Sequence, residues 1–214
     1  KLRKINNLKF EEQNIINMNL KKKFDVIMCI GVLHHLSDMQ KGLINLKKHL
    51  KKSGYLIMWL YGKDGRFKLN LNQRMLSLLL KNKKSLKEKI QITKKILSGE
   101  SNKFLDCHFN VPYSSIEDNW EEGRKFLIKN DNWIVDQFLH YNENVVDMRD
   151  IFHFTEKANF KIDEWLGVSL EMKKFINDKE IIKIFNKLSL NEKYLVIDDL
   201  IKPKYYFLVL KNKS

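Results

Sequence analysis

The chain has 214 residues, 43% hydrophobic and 11% aromatic, which excludes a disordered polymer and suffices for one folded domain with a core. Lys and Arg number 40 against 26 Asp and Glu, a net charge of +14 that raises nucleic acid as a partner. No run approaches the ~18 apolar residues of a membrane span and no secretory leader is visible, so a cytoplasmic protein is expected.

In chain order, Leu8-Lys9-Phe10 is a short strand candidate, followed by a polar loop ending in Lys21-Lys22-Lys23. Val26-Ile27-Met28-Cys29-Ile30 is an unbroken apolar run of strand length, predicted to be buried on both faces of a parallel sheet. Gly31 ends it. Ser37-Asp38-Met39-Gln40 has the form of a capping box, and Leu43, Leu46 and Leu50 follow at helical spacing. Ser53-Gly54 reads as the helix stop, and residues 55–61 as a second buried strand. Strand, helix and strand form a βαβ unit with parallel strands and a right-handed crossover. Parallel sheets bind ligands beyond the carboxyl ends of their strands, here residues 29–35 and 61–63.

His34 and His35 stand at that position, where an imidazole serves either as a general base or as a loop cap packed on the next helix. The turn Gly62-Lys-Asp-Gly65 allows close approach of a ligand to the backbone. Arg66 either pairs with a substrate carboxylate or phosphate or is a solvated surface residue. Residues 69–97 then carry a helical stripe from Leu71 to Leu97, with lysines elsewhere and a break near 82–85. A polar loop holding Cys107, His108 and Pro112 follows, then a capping-box pattern at Ser114–Glu117 and a helix through Trp120 to Ile128. Asp136 and His140 are four apart, so a helix would place them on one face, as a proton-steering pair or an ordinary hydrogen bond. No third ligand stands at a diagnostic spacing, so no metal is expected. Residues 148–160 read as a helix ending at Asn159 in the left-handed conformation, 160–166 as an antiparallel strand, 175–200 as charged helix, and 205–210 as a closing strand. Cys29 and Cys107 fit no zinc or redox spacing, and free thiols are expected.

Taken together, Phe-Asp-Val-Ile at 24–27, Gly-Val-Leu-His-His-Leu at 31–36, a helix, and Lys-Ser-Gly before a strand resemble class I S-adenosylmethionine-dependent methyltransferases. The resemblance spans the family's fourth strand, its helix and its fifth strand, continues into Tyr61–Arg66 and Asp136–His140, and reaches back to Phe10–Ile15. It implies an α/β, Rossmann-like, mostly parallel sheet, incomplete at its amino-terminal side. The implied organisation is a partial core over 1–66, a helical insertion or cover over 67–145, and a carboxyl-terminal helix and antiparallel strand pair over 146–214. It further implies S-adenosyl-L-methionine as cofactor, with Asn14 and Ile15 at the adenine and Cys29, Ile30 and Gly31 at the methionine end, largely through backbone. His34, His35, Arg66, Asp136 and His140 then face the methyl acceptor, expected to be a small molecule. Two departures stand out: Asn14 occupies a place usually held by Asp, and only thirteen residues precede it, so the family's glycine-rich loop is absent. The chain is accordingly expected to be the carboxyl-terminal part of a longer enzyme, to bind the cofactor poorly by itself, and to leave apolar surface bare.

The charge has a competing explanation. Only Arg3, Arg66, Arg74, Arg124 and Arg149 among the basic residues are arginine, and Ala158 is the sole alanine. That bias suits an AT-rich genome better than a nucleic-acid reader, which leans on arginine forks. The alternative to an enzyme is a methyltransferase-like module without catalysis, binding RNA or protein through its basic surface.

Overall fold

The computed structural model describes residues 7–98, 120–140 and 143–213. Four strands, β1 (Phe24–Ile30), β2 (Leu50–Tyr61), β3 (Phe160–Trp165) and β4 (Tyr205–Asn212), form one sheet in the order β1-β2-β4-β3. β1 and β2 are parallel, while β4 runs antiparallel to both β2 and β3, so three of the four strands point one way. The strand pairing expected for the βαβ unit and for the closing pair is therefore present. β4 in addition inserts between β2 and β3.

The helix of the βαβ unit is α1 (Met39–Lys48), and its cap is Asp38, not Ser37: the Asp38 carboxylate accepts the Lys41 amide at 2.9 Å. An aspartate satisfies an orphan amide and also meets the positive end of the helix dipole. The helix ends earlier than the leucine spacing suggests. Leu50 already belongs to β2 and pairs with Phe24, so Ser53-Gly54 lies inside the strand and is not a helix stop. Gly54 is needed there because a Cβ would come within 2.8 Å of the Asp25 carbonyl oxygen and 2.9 Å of the Leu50 side chain. Residues 8–10 form no strand, and Phe10 is 89% exposed; a strand there would need a partner to satisfy its backbone groups, and none stands beside it among the described residues.

The main core lies on one side of the sheet, where Leu56, Met58 and Leu60 of β2 and Leu208 and Leu210 of β4 meet α1, α6 (Met148–Lys157) and α8 (Leu190–Ile201). Each such side chain contributes roughly 1.5–3 kcal/mol by leaving water. The expectation that β1 is buried on both faces is overturned: Cys29 is buried, but Val26, Met28 and Ile30 are 42–66% exposed on the opposite face. The reason is positional, since β1 is the edge strand and no described helix covers that face. At the far edge, Asn159 ends α6 with φ 55°, as its sequence position suggests. Asp198, buried in α8, accepts the Met148 amide at 2.9 Å and the Tyr206 hydroxyl at 2.6 Å, fastening α6 to β4. Burial, opposed by those two hydrogen bonds, raises the Asp198 carboxyl above its ordinary range.

A second cluster is built wholly from residues 69–139. α2 (Phe67–Leu79) and α3 (Leu86–Ser98), separated by the expected break, pack with α4 (Trp120–Lys129) and α5 (Asp131–Ile134) around Leu69, Leu76, Leu97, Leu127, Ile134 and Phe138. The predicted features at Cys107, His108 and Ser114–Glu117 lie outside the described residues. α7 (Lys179–Asn186) completes the helices of the main layer.

The glycine turn after β2 serves the fold. A Cβ at Gly62 would stand 1.9 Å from the Pro203 carbonyl oxygen, and one at Gly65 2.5 Å from the backbone of residues 202–204. The close approach is thus to the segment entering β4, whose Lys204 carbonyl also accepts the Gly62 amide at 2.8 Å. Gly62→Ala is expected to destabilise the protein by about 1–3 kcal/mol, the usual cost of overpacking, read as a lower urea midpoint at unchanged slope. An unchanged midpoint would show that residues 202–204 yield freely.

Candidate active site

The carboxyl ends of β1 and β2 carry an aromatic cluster. A single 3₁₀ turn, Leu33–His35, follows Gly31, whose φ of 69° favours glycine. The turn is clamped from outside the unit by Asn144, whose backbone amide donates to the His34 carbonyl at 2.8 Å and whose side-chain nitrogen donates to the His34 and Leu36 carbonyls at 3.1 and 2.9 Å. Residues 144–146 also run along the end of β2, with a parallel bridge between Gly62 and Val146.

His34 is fully buried, with its ring centroid 4.1 Å from Tyr61, 4.2 Å from His35 and 5.6 Å from Trp59, and neither ring nitrogen has a well-formed hydrogen bond. Burial, reinforced by the charges of His35, Arg66 and His140 and opposed only weakly by the Trp59 backbone, pushes its pKa down to about 3. It is therefore a neutral packing ring at physiological pH, the loop-cap alternative. His35 is half-buried beside it, its ring 4.3 Å from that of His140.

Arg66 is not a solvated arginine, and its Nε and Nη1 are buried without a hydrogen-bond partner among the described residues. It is 1% exposed, its Nη2 donates to Glu143 at 3.0 Å, and its guanidinium lies 3.5 Å from the centre of the Tyr61 ring. Gln73 donates to the same Glu143 oxygen at 3.1 Å and to the Gln137 carbonyl at 3.1 Å, tying α2 to both neighbouring segments. The other Glu143 oxygen is buried without a partner. Burial, opposed by Arg66 and aided by Asp136 and Glu143, raises the Tyr61 phenol to about 12.

Asp136 and His140 do not share a helical face. Residues Val135–Leu139 form a π turn continuing α5, and His140 is already extended at its end. The wider turn nevertheless brings both to the strand ends. Asp136 lines a cleft of 480 Å³ together with His35, Trp59, Tyr61, Trp133 and Gln137, with Gly31 at its edge. His35 is shared with a second cleft of 530 Å³, formed with Asn14, Ile16, Leu36, Ser37, Glu143 and Asn144.

Of the residues expected at the cofactor, Asn14 and Gly31 line these clefts, whereas Ile15 turns inward against α1: its carbonyl accepts Asn45 at 2.8 Å and its side chain lies beside Gly42. Cys29 carries a free thiol sunk in the core and raised to about 11 by burial, and Ile30 points to the bare face of β1. Trp59, Trp133, Glu143 and Asn144 escaped the sequence reading, whereas Tyr61 and Gln137 lie in stretches it had placed near the site without a role of their own. For Trp59 and Tyr61 the signal was available, since alternate residues at a strand's carboxyl end share a side. Nothing local marks Glu143 or Asn144. Among the described residues no group of three His, Cys, Asp or Glu is placed to hold a metal, and no helix is long and apolar enough to cross a membrane.

This sheet order, with its antiparallel β4 and its clefts at the strand ends, defines a class I methyltransferase-type Rossmann-like fold. The chain belongs to the methyltransferase-domain family, whose sequence profile matches residues 1–125. Its backbone resembles PKMT2 from Rickettsia typhi, solved in complex with AdoHcy, with a TM-score of 0.70 at 15% identity over 99% of this chain. It is 49% identical over 51 residues to a tRNA U34 carboxymethyltransferase of Campylobacter fetus, and 35% identical over 57 residues to a ubiquinone biosynthesis O-methyltransferase of Rickettsia akari. Those stretches are 22% and 26% of this chain and 17% and 23% of the relatives, and the chain spans 40% of the Rickettsia typhi structure.

Two measurements probe the site. His34 has a folded pKa of about 3, below its unfolded value near 6.5, so the unfolded state binds its proton first as pH falls. Stability from this group is intact above pH ~6.5 and declines by up to about 1.4 kcal/mol per pH unit below it. Subtracting the denaturation curves of His34→Leu should remove that slope; parallel curves would mean His34 finds a proton partner. Arg66→Met should cost about 3–5 kcal/mol by stranding Glu143. Adding Glu143→Gln should recover part of the loss in a double-mutant cycle, and strict additivity would show the pair to be uncoupled.

Proposed function

We propose that the protein of which this chain forms part transfers a methyl group from S-adenosyl-L-methionine to a small acceptor, with residues 67–145 as a cover over the strand ends. The observation that carries this is the pair of clefts meeting at His35, beyond the carboxyl ends of two parallel strands. Asn14 and Ile16 would offer the adenine a polar edge and an apolar face, and Glu143, one oxygen of which is buried without a partner, stands in the wall of the same cleft. Gly31 and His35 would hold the methyl-bearing end. When bound, the cofactor supplies an electrophilic methyl on a sulfonium. The chain's own contribution is alignment and exclusion of water, with His34 as packing, Arg66 holding Glu143 and Tyr61, and Asp136, His35 and His140 on the acceptor side. The small-molecule acceptor is in keeping with a cleft of 480 Å³ walled by the 131–140 segment.

Calorimetric titration of the full-length protein with S-adenosylhomocysteine tests the reading. Ser37→Trp, an exposed change that fills the second cleft, should weaken binding at least tenfold, while Lys52→Trp on the exposed start of β2 should not. Equal affinity in all three proteins would overturn it.

A further inference from the structure

Helix α2 is apolar on two faces. Leu69 and Leu76, with Leu80 just beyond, are buried in the helical cluster. On the opposite side Phe67, Leu71, Met75 and Leu78 are 36–70% exposed, and Leu79 and Leu86 flank the turn that follows at 60% and 53%. At about 100° per residue those four project within about 80° of one another, so they form a continuous stripe. A helix apolar all round is ordinarily enclosed, and a contiguous exposed patch marks a contact surface. Among the described residues nothing lies over this one.

The charge around the stripe indicates what covers it. Between Phe67 and Ser98 stand nine Lys and Arg and one acid, Glu88, which already pairs with Lys83 at 2.6 Å. Lys81, Lys84 and Lys87 are exposed in and beside the turn. A nucleic-acid reader would place arginine forks and several ring faces here. Arg74 is instead the only arginine of the segment and Phe67 its only aromatic ring. Aliphatic side chains bordered by lysines match hydrocarbon beside anionic headgroups in both respects.

We propose that α2 and the turn after it form a docking face for a bilayer bearing anionic lipids. Phe67, Leu71, Met75 and Leu78 enter the acyl boundary, and Lys81, Lys84 and Lys87 meet headgroup phosphates. The attachment is interfacial, since among the described residues no helix is long and apolar enough to cross a membrane. This goes beyond the methyl-transfer reading and does not rest on it. The inner face of α2, which holds Gln73 on Glu143, is left as it stands.

Flotation of the full-length protein with vesicles tests the proposal, using phosphatidylcholine alone and phosphatidylcholine mixed with phosphatidylglycerol. The mixed vesicles should retain the protein at least tenfold more than the neutral ones. Leu78→Glu and, independently, Leu79→Glu should cut that binding at least tenfold, and Lys81→Glu with Lys84→Glu severalfold. Lys48→Glu with Lys52→Glu, the same charge change on exposed residues elsewhere, should have little effect. Urea midpoints and S-adenosylhomocysteine affinity should be unchanged in all of them. At high salt the unaltered protein should keep part of its binding through the stripe, which a purely ionic patch would lose. No binding to either vesicle, or equal binding by the Leu78→Glu protein, would overturn the proposal. So would complete loss in salt together with displacement of the vesicles by a poly(U) oligonucleotide, which would make the face an RNA surface. A urea midpoint lowered by Leu78→Glu, or a dimer that this change breaks without vesicles, would also overturn it, because the stripe would then be covered by the protein itself or by a second copy.

Discussion

The contact on which most of the site depends is the buried ion pair between Arg66 and Glu143, laid against the Tyr61 ring. Two charges taken out of water incur a large desolvation cost, returned only when their geometry is held on all sides. Here the holding groups come from separate pieces of chain: the turn after β2, Gln73 on α2, and the segment beginning at Glu143. The pair is consequently less a source of stability than a statement of register. It fixes how the helical layer meets the strand ends, and with it the position of Asn144, which in turn fixes the turn bearing His34 and His35.

Around that pair the polar groups divide by environment. Burial keeps His34 uncharged and Tyr61 protonated, so neither brings charge of its own into the cluster. Asp136 instead lines a cleft at the strand ends. On the methyl-transfer reading proposed above, the buried rings then serve packing and alignment and not proton transfer.

The sheet was legible because its signals are local and strong. Apolar runs of strand length at 26–30 and 205–210 and a capped amphipathic helix between parallel strands leave little freedom of topology. What failed was finer. Leu50 matches helical spacing yet joins β2, because pairing with Phe24 extends that strand backwards. Burial of β1 was misread, since an apolar run reports what a strand can bury and not what lies over it. Arg66 and the two glycines were placed at the correct end of the molecule with the wrong partners, as theirs are Glu143 and residues 202–204, far off in sequence. Residues set by such distant contacts leave no pattern in a window of a dozen neighbours.

The π turn at Val135–Leu139 is an α-helical turn carrying one residue too many. Each residue in an α-helix advances about 100° around the axis. Within the turn Asp136 lines the cleft at the strand ends while Phe138 stays in the helical core. The length of this segment is therefore as much a part of the chemistry as its side chains. A one-residue deletion that restored a regular helical turn would change the direction in which Asp136 faces, even with every other residue of the cleft wall kept.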